Sequence, residues 1–298
     1  MISNNAASHH TFDSYCTKRV SFILPTKNRA HYLASALERC RGLKGPDDEL
    51  IIIDGLSTDA TKEVVGTYRD IVDIFVSELD VSSPHAHNKG YLLASGKYIK
   101  ELSDDDVFYP EGIAQAIEIL EQYPDIDLLL CGGTKERDGK IWNSYAPPGV
   151  NYGSSTEGVF THDCAAGVGH FIRRSSLAKL GILYPMRTNC DRAFVLEFIS
   201  KGGVVKFCRI NTYHHPMHEG SITVRIQSEN ESDAIRLVKE YCSRLFYARW
   251  RLFQKSSFLR KKTKKLIRSL SRILLGKEYI LAARKKKKEN VAWDGGFS

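Results

Sequence analysis

The sequence lacks the features that staple or anchor a small protein. Its seven cysteines form no CxxC pair and no Cys/His cluster at zinc-finger spacing. An odd count without a framework points to reduced thiols in a cytosolic setting. No apolar run reaches the length of a membrane span, and the opening residues (MISNNAASHHTFDSYCTKR) carry no signal-peptide core. Internal repeats are absent. These absences set aside disulfide scaffolds, zinc modules, integral membrane proteins and repeat arrays, and they favour a cytoplasmic protein.

What remains is a chain of 298 residues, 42% hydrophobic and 26% charged, enough for one large core or two small ones. The net charge of +8 is unevenly spread. Between Lys255 and Lys288 fourteen Lys and Arg face the single Glu278, a net of +13, which leaves 8 − 13 = −5 for the rest. A mildly acidic body therefore carries a strongly basic tail. In that tail Leu266, Ile267, Leu270, Ile273 and Leu274 fall on one helical face among basic residues, a pattern suited to an anionic membrane surface. The same stripe also fits a helix that packs back on the body. No aromatic interleaving or nucleic-acid module accompanies the basic run, so no nucleic-acid partner is expected.

Patterning predicts an alternation of strands and helices. VSFILP (Val20 to Pro25) and ELIIID (Glu49 to Asp54) read as buried strands, DIFVSE as a short third, GKYIKELSD as a fourth and DIDLLLCGG as a fifth. Helices are expected in TKNRAHYLASALERCRGL, entered through a short loop, and at TKEVVGTYRD, AHNKGYLLAS and PEGIAQAIEILEQY, the last with proline near its start. Residues 134 to 165 read as hairpins or loops, followed by helices at RRSSLAKLG and DRAFVLEFIS, a strand at VVKFCRI and a loop at YHHPMHEGSIT. The alternation implies right-handed crossovers and a mostly parallel α/β sheet with helices on both faces. Ligands of such sheets sit beyond the carboxyl ends of the strands. Thr26 to Arg29, Asp54 to Asp59 and Asp104 to Asp106 all fall at such ends.

The run Asp104, Asp105, Asp106 is the strongest chemical signal. Adjacent carboxylates repel one another and destabilise the chain unless a cation neutralises them. Mg²⁺ and Mn²⁺ take one or two carboxylates together with substrate phosphates. Taken alone, the run reads equally as a solvated acidic turn before the Pro110 helix; the neighbouring strand-end motifs favour the ligand site.

Three stretches then resemble one family. VSFILPTKNRAHYLASAL is similar to the opening of the GT-A fold glycosyltransferases of family 2. IIIDGLSTDAT is similar to their second-strand motif, usually Asp-Gly-Gly-Ser-Thr-Asp, and AHNKGYLLASGKYIKELSDDDVFYPEG to the stretch that leads into their Asp-x-Asp region. The resemblance spans about residues 19 to 115 and continues more weakly to about 222. It implies a Rossmann-like GT-A fold and an inverting, nucleotide-sugar-dependent transferase using Mn²⁺ or Mg²⁺. It places Pro25, Thr26, Asn28 and Arg29 around the nucleotide, Asp54 on the base or ribose, and Asn88 and Lys89 near nucleotide and diphosphate. Asp104 and Asp106 form the Asp-x-Asp, with Asp106 the metal contact, Asp104 its support, and Asp105 free for ribose or sugar. His218, in the loop HHPMHEGSIT, would approach the diphosphate or metal, ahead of His214 and His215. Asp59 reads as a turn-and-cap residue. Asp191, in TNCDRAFVLEF, matches the position of the family's general base, although Cys190 stands where an acidic neighbour is usual; Asp191 equally reads as a helix N-terminal residue.

The sequence reading is thus a flexible stretch 1–18, a GT-A domain 19–227 and a basic helical extension 228–298. The donor is a nucleotide-sugar and the acceptor a glycan or lipid-linked hydroxyl, in surface polysaccharide or glycolipid assembly. The protein would be peripheral on the inner face of the membrane. The alternatives are a sugar-phosphate nucleotidyltransferase, for which PTKNRA lacks a glycine-rich phosphate loop, and a non-catalytic nucleotide- or membrane-binding protein of the same fold.

Overall fold

A computed structural model describes residues 15–144, 156–161, 167–182, 189–218 and 227–254. The chain divides into two compact units, Met1–Cys242 and Ser243–Ser298.

The first unit opens with β1 (Lys18–Thr26), α1 (Ala30–Leu43), β2 (Glu49–Asp54), α2 (Thr61–Thr67), β3 (Ile74–Ser77), α3 (Ser83–Leu93) and β4 (Gly96–Glu101). There follow β5 (Val107–Phe108), α4 (Pro110–Gln122), the hairpin β6 (Leu128–Arg137) and β7 (Lys140–Ser144), and a short α5 (Gly158–Thr161). A 3-10 turn (Gly167–Gly169) leads into β8 (His170–Arg173), α6 (Arg174–Leu180), α7 (Cys190–Ser200), β9 (Val205–Pro216) and α8 (Gln227–Tyr241).

One sheet runs in the order β3-β2-β1-β4-β8-β6-β9-β5, with β7 beside β6. Its first half is parallel: β2 pairs β3 and β1, and β1 pairs β4. Its second half is mixed, because β8 runs antiparallel to both β4 and β6 while β6 and β9 are parallel. The expected parallel sheet therefore holds for the first four strands; the reversal comes from β8, which runs antiparallel to both of its neighbours.

Side-chain alternation builds a core on each face. In β1, Ile23 joins one buried cluster and Phe22 and Leu24 the other. Every residue of β2 is buried, as a strand covered on both faces requires. Helix α4 starts on its proline and buries Ile113, Ala116, Ile117 and Leu120, the i, i+3, i+4, i+7 stripe of an amphipathic helix. It sits so close to β9 that a Cβ on Gly112 would come 1.9 Å from the Asn211 carbonyl oxygen, so only glycine fits there. In α8, Leu237 and Val238 are buried in the same unit, just beyond the boundary the sequence suggested at 227.

Strand β9 is longer than the sequence pattern indicates. VVKFCRI was expected to end in a loop, yet the strand continues to Pro216. It does so because β6 extends alongside it through a bulge at Cys131 to Gly133, and because β5 pairs with Tyr213 and His214. His214 and His215 are thus held on a strand.

In the second unit a helix spans 244–254, its start capped by the Ser243 hydroxyl, which accepts from the Phe246 N–H at 3.2 Å. Leu245, Leu252 and Phe253 are exposed at i, i+7 and i+8, on one stripe. The basic amphipathic segment after Lys255 lies outside the described residues. Among the described residues no helix is long and apolar enough to cross a membrane.

Candidate active site

The carboxyl ends of β1, β2 and β4 share one edge, with Thr26 in register with Asp54 and Ile23 with Glu101. The loops that leave these ends interlock. Asn28, at a positive φ of 53°, accepts from the Thr58 N–H at 2.8 Å, while its own N–H donates to the Ser57 hydroxyl at 2.7 Å. Asp59 accepts from the Ala30 N–H at 3.0 Å and from the Thr61 N–H and hydroxyl at 3.1 and 2.6 Å. One carboxylate thereby caps α1 and α2, and those hydrogen bonds, chiefly that from the Thr61 hydroxyl, lower its pKa. Asp54 is fully buried and accepts from the Ser57 N–H, the Ser57 hydroxyl and the Ser77 hydroxyl. Leu56, where the resembling motif has glycine, takes a φ of 61°.

The aspartate run has its own resident cation. Arg29 Nε donates to both Asp104 oxygens at 2.7 and 2.8 Å, and Nη2 donates to Asp105 Oδ2 at 2.7 Å. The guanidinium lies 4.4 Å from the Tyr32 ring centroid. Burial opposes its charge, but Asp104 and Asp105 outweigh that and hold its pKa above the ordinary value. Burial pushes Asp104 up to about 6 against the pull of Arg29. Thr26 also donates to Asp104, at 3.2 Å.

The other two aspartates each meet a histidine. His218 Nε2 stands 3.0 Å from Asp105 Oδ2, and its ring stacks on Tyr32 at 5.5 Å. Burial works to raise the Asp105 pKa, yet Ser103, Arg29 and His218 together lower it. His215 Nδ1 stands 2.6 Å from Asp106 Oδ1; burial disfavours the His215 charge, but Asp106 raises its pKa overall. Asp106 is 1% exposed, and its Oδ2 is buried without a hydrogen-bond partner.

Among the described residues no three His, Cys, Asp or Glu side chains converge as a ready-made metal cage. Hard divalent ions need less than that when a diphosphate supplies oxygens. The Asp105 carboxylate beside His218, with an orphaned Asp106 oxygen in the same run, is a donor set that fits such an ion.

Asp191 lies on a different element, in the first turn of α7, where the left-handed Asn189 opens the helix. Its Oδ1 accepts from the Arg192 N–H at 2.8 Å and its Oδ2 from the Gly167 N–H at 3.3 Å. Two backbone donors fix the carboxylate and leave lone pairs for a third partner.

The family described as Glycosyl transferase family 2 matches residues 21–181, more than half of the chain. The chain belongs to glycosyl transferase family 2. An uncharacterized glycosyltransferase of Rickettsia typhi is 26% identical over 251 residues, 82% of this chain and 73% of that protein. One from Haemophilus influenzae is 24% identical over 227 residues, 74% and 76% of the two chains. The match to a Rickettsia prowazekii relative, 30% identical, takes in only 39% of its length. Among solved structures, Staphylococcus aureus TarS in complex with UDP-GlcNAc superposes with a TM-score of 0.58 at 16% identity, covering 75% of this chain and 71% of that one. Glucosyl-3-phosphoglycerate synthase from Mycobacterium tuberculosis, in complex with Mn²⁺, UDP and glucosyl-3-phosphoglycerate, gives 0.56 at 14% identity, covering 81% and 84%. The architecture is GT-A, and the protein is a glycosyltransferase-type enzyme.

Against this frame of strands, the family-derived residues separate into groups. Thr26, Arg29, Asp104, Asp105 and His218 form one hydrogen-bonded cluster. Pro25 lies in β1 opposite Ile53, and Asn28 and Asp54 brace the loops beside the cluster. Asn88 and Lys89 lie on α3; Lys89 is held by Asp80 at 3.0 Å and Glu78 at 3.4 Å and donates to the Leu79 carbonyl at 3.1 Å. Sequence reasoning ranked His215 low, and its place on Asp106 follows from the extended β9. It missed Lys100 and Glu101 altogether, although two adjacent charged residues between Ile99 and Leu102 in a strand (GKYIKEL) were the visible signal.

Proposed function

We propose that this family 2 enzyme is an inverting glycosyltransferase that moves a sugar from a nucleoside-diphosphate donor to a hydroxyl of a surface glycan or lipid-linked acceptor. The observation that carries the reading is the Arg29–Asp104–Asp105–His218 cluster at the ends of parallel strands, with Asp191 held separately by backbone donors. Inversion needs these two centres on opposite sides of the anomeric carbon. Asp191 accepts the proton of the acceptor hydroxyl as its oxygen bonds to that carbon. The bond to the donor's phosphate oxygen breaks in the same step, and the diphosphate leaves carrying the electron pair.

Asp105 and His218 would hold Mg²⁺ or Mn²⁺, which supplies charge compensation to the departing diphosphate. Asp106, with an oxygen to give, is the other candidate ligand. Asp54 and Asn28 keep the nucleotide side of the edge in shape, and Arg29 orients the carboxylates. TarS is named a poly(ribitol-phosphate) β-N-acetylglucosaminyltransferase, and a Bacillus subtilis relative a putative teichuronic acid biosynthesis glycosyltransferase, which supports a surface-polymer acceptor. The exposed Leu245, Leu252 and Phe253, with Arg244, Arg249 and Arg251 on the same helix, support contact with an anionic membrane.

A nucleotide-sugar panel read by thermal stabilisation, with and without Mn²⁺, tests the donor. One nucleotide class should stabilise the protein in a metal-dependent way, and the same donor should be consumed. A folded protein indifferent to the whole panel would overturn the reading in favour of a non-catalytic role.

A further inference from the structure

The last two residues of β4 are charged and buried, Lys100 at 0% and Glu101 at 3% exposure. Burying an ammonium and a carboxylate is expensive, and strand interiors rarely carry either without a task. Successive strand residues point to opposite faces of a sheet. Yet these two side chains reach the same short segment, the 3-10 turn Gly167–Gly169.

From one face, Lys100 Nζ donates to the Val168 carbonyl at 2.5 Å and to the Glu101 carbonyl at 2.8 Å, between the rings of Phe108 and Phe171 at 5.0 and 4.9 Å. From the other face, the Glu101 carboxylate accepts from the buried Tyr91 hydroxyl and turns Oε2 toward the turn. A Cβ on Gly167 would stand 2.6 Å from that oxygen, so the turn lies flat against the carboxylate. The N–H of this same Gly167 donates to Asp191 Oδ2 at 3.3 Å.

The strand is itself held on both sides, by β1 and β8, and runs on directly into Ser103 to Asp106. One rigid element therefore touches the donor carboxylates at its end and, through the turn, the acceptor-side carboxylate.

We propose that Lys100 and Glu101 are positioning residues for acceptor activation, gripping the Gly167–Gly169 turn so that its N–H aims the Asp191 carboxylate. The inference rests on reading Asp191 as the base. Displacement of a reacting group by about 1 Å costs on the order of a hundredfold in rate, so loss of either grip should act on turnover and leave donor affinity intact.

The amide arm of the test needs no acceptor. In protein labelled with ¹⁵N-glycine, the Gly167 amide is identified by its disappearance in Gly167→Ala. A carboxylate-bound amide resonates downfield, and that position should be lost in Asp191→Asn and in both Lys100→Met and Glu101→Gln. A Gly167 amide unmoved in Lys100→Met and Glu101→Gln overturns the proposal, whatever happens to thermal stability. Should Lys100→Met fail to fold, Lys100→Arg and Glu101→Gln carry the same readout. With the donor chosen from the panel, Lys100→Met should lower kcat ten- to a hundredfold in the parent and by less than about twofold in an Asp191→Asn background. Equal factors in both backgrounds would mean that Lys100 acts on the fold alone. Near-normal kcat in Asp191→Asn would remove the base while the amide result still decides the grip.

Discussion

The two halves of the sheet hold their carboxylates by different means. On the parallel half, Asp54, Asp59 and Asp104 are satisfied mostly by side chains and backbone of neighbouring strand-end loops: serine and threonine hydroxyls, nearby N–H groups and the Arg29 guanidinium. On the mixed half, Asp191 is held by two backbone N–H groups, one of them on a turn anchored from β4. Side-chain clamps built on adjacent loops suit a centre that must neutralise charge. A backbone cradle leaves lone pairs unspent and suits a centre that must take up a proton.

The sharpest way to break this contrast is Asp191→Asn. Turnover should fall by about a thousandfold with affinity for the donor chosen from the panel unchanged, measured by steady-state kinetics beside titration calorimetry; matched losses in both would erase the division. On the donor half, Asp105→Ala should weaken metal-dependent binding of the donor chosen from the panel by ten- to a hundredfold with little change in folding, and undiminished metal-dependent binding would move the ion to Asp106. Asp106→Ala strips the half-buried His215 of its partner and should reduce unfolding stability by about 2 kcal/mol, read by urea denaturation.

Lys100 sits at the seam of the two halves. Burial lowers its pKa from 10.5 to about 8, so the folded state releases that proton before the unfolded chain does. Stability from this group therefore rises as pH climbs from about 8 toward 10.5. Lys100→Met should flatten that rise relative to the parent, by on the order of 2 kcal/mol across the window; parallel curves would place its proton elsewhere. Smallest is Leu56→Gly, which relieves a left-handed leucine and should stabilise by about 0.5 kcal/mol, whereas a loss would show that the exposed side chain is held in place.

What could be read from the sequence follows the same division. Strand-end motifs of the parallel half are contiguous in the chain, so Thr26, Arg29, Asp54 and the aspartate run announced themselves in VSFILPTKNRA, IIIDGLSTDAT and KELSDDD. The direction of Arg29 toward Asp104 was not visible, since it closes a separation of 75 residues. His215 ranked below His218 because β5 is two residues long, too short for any periodicity, and its pairing, with that of β6, is what keeps β9 extended. Gly167 escaped because its value lies in a bond to Asp191 and a close approach to Glu101, both made by tertiary packing.

The Arg29 fork has one more consequence, for the interval between catalytic cycles. Under the proposed donor role, a guanidinium that already spans Asp104 and Asp105 means that release of a product diphosphate does not leave those carboxylates facing one another bare. Arg29 then acts as ballast: the idle pocket keeps its charge in trim and its loops in shape, and each new donor meets a site that is already assembled.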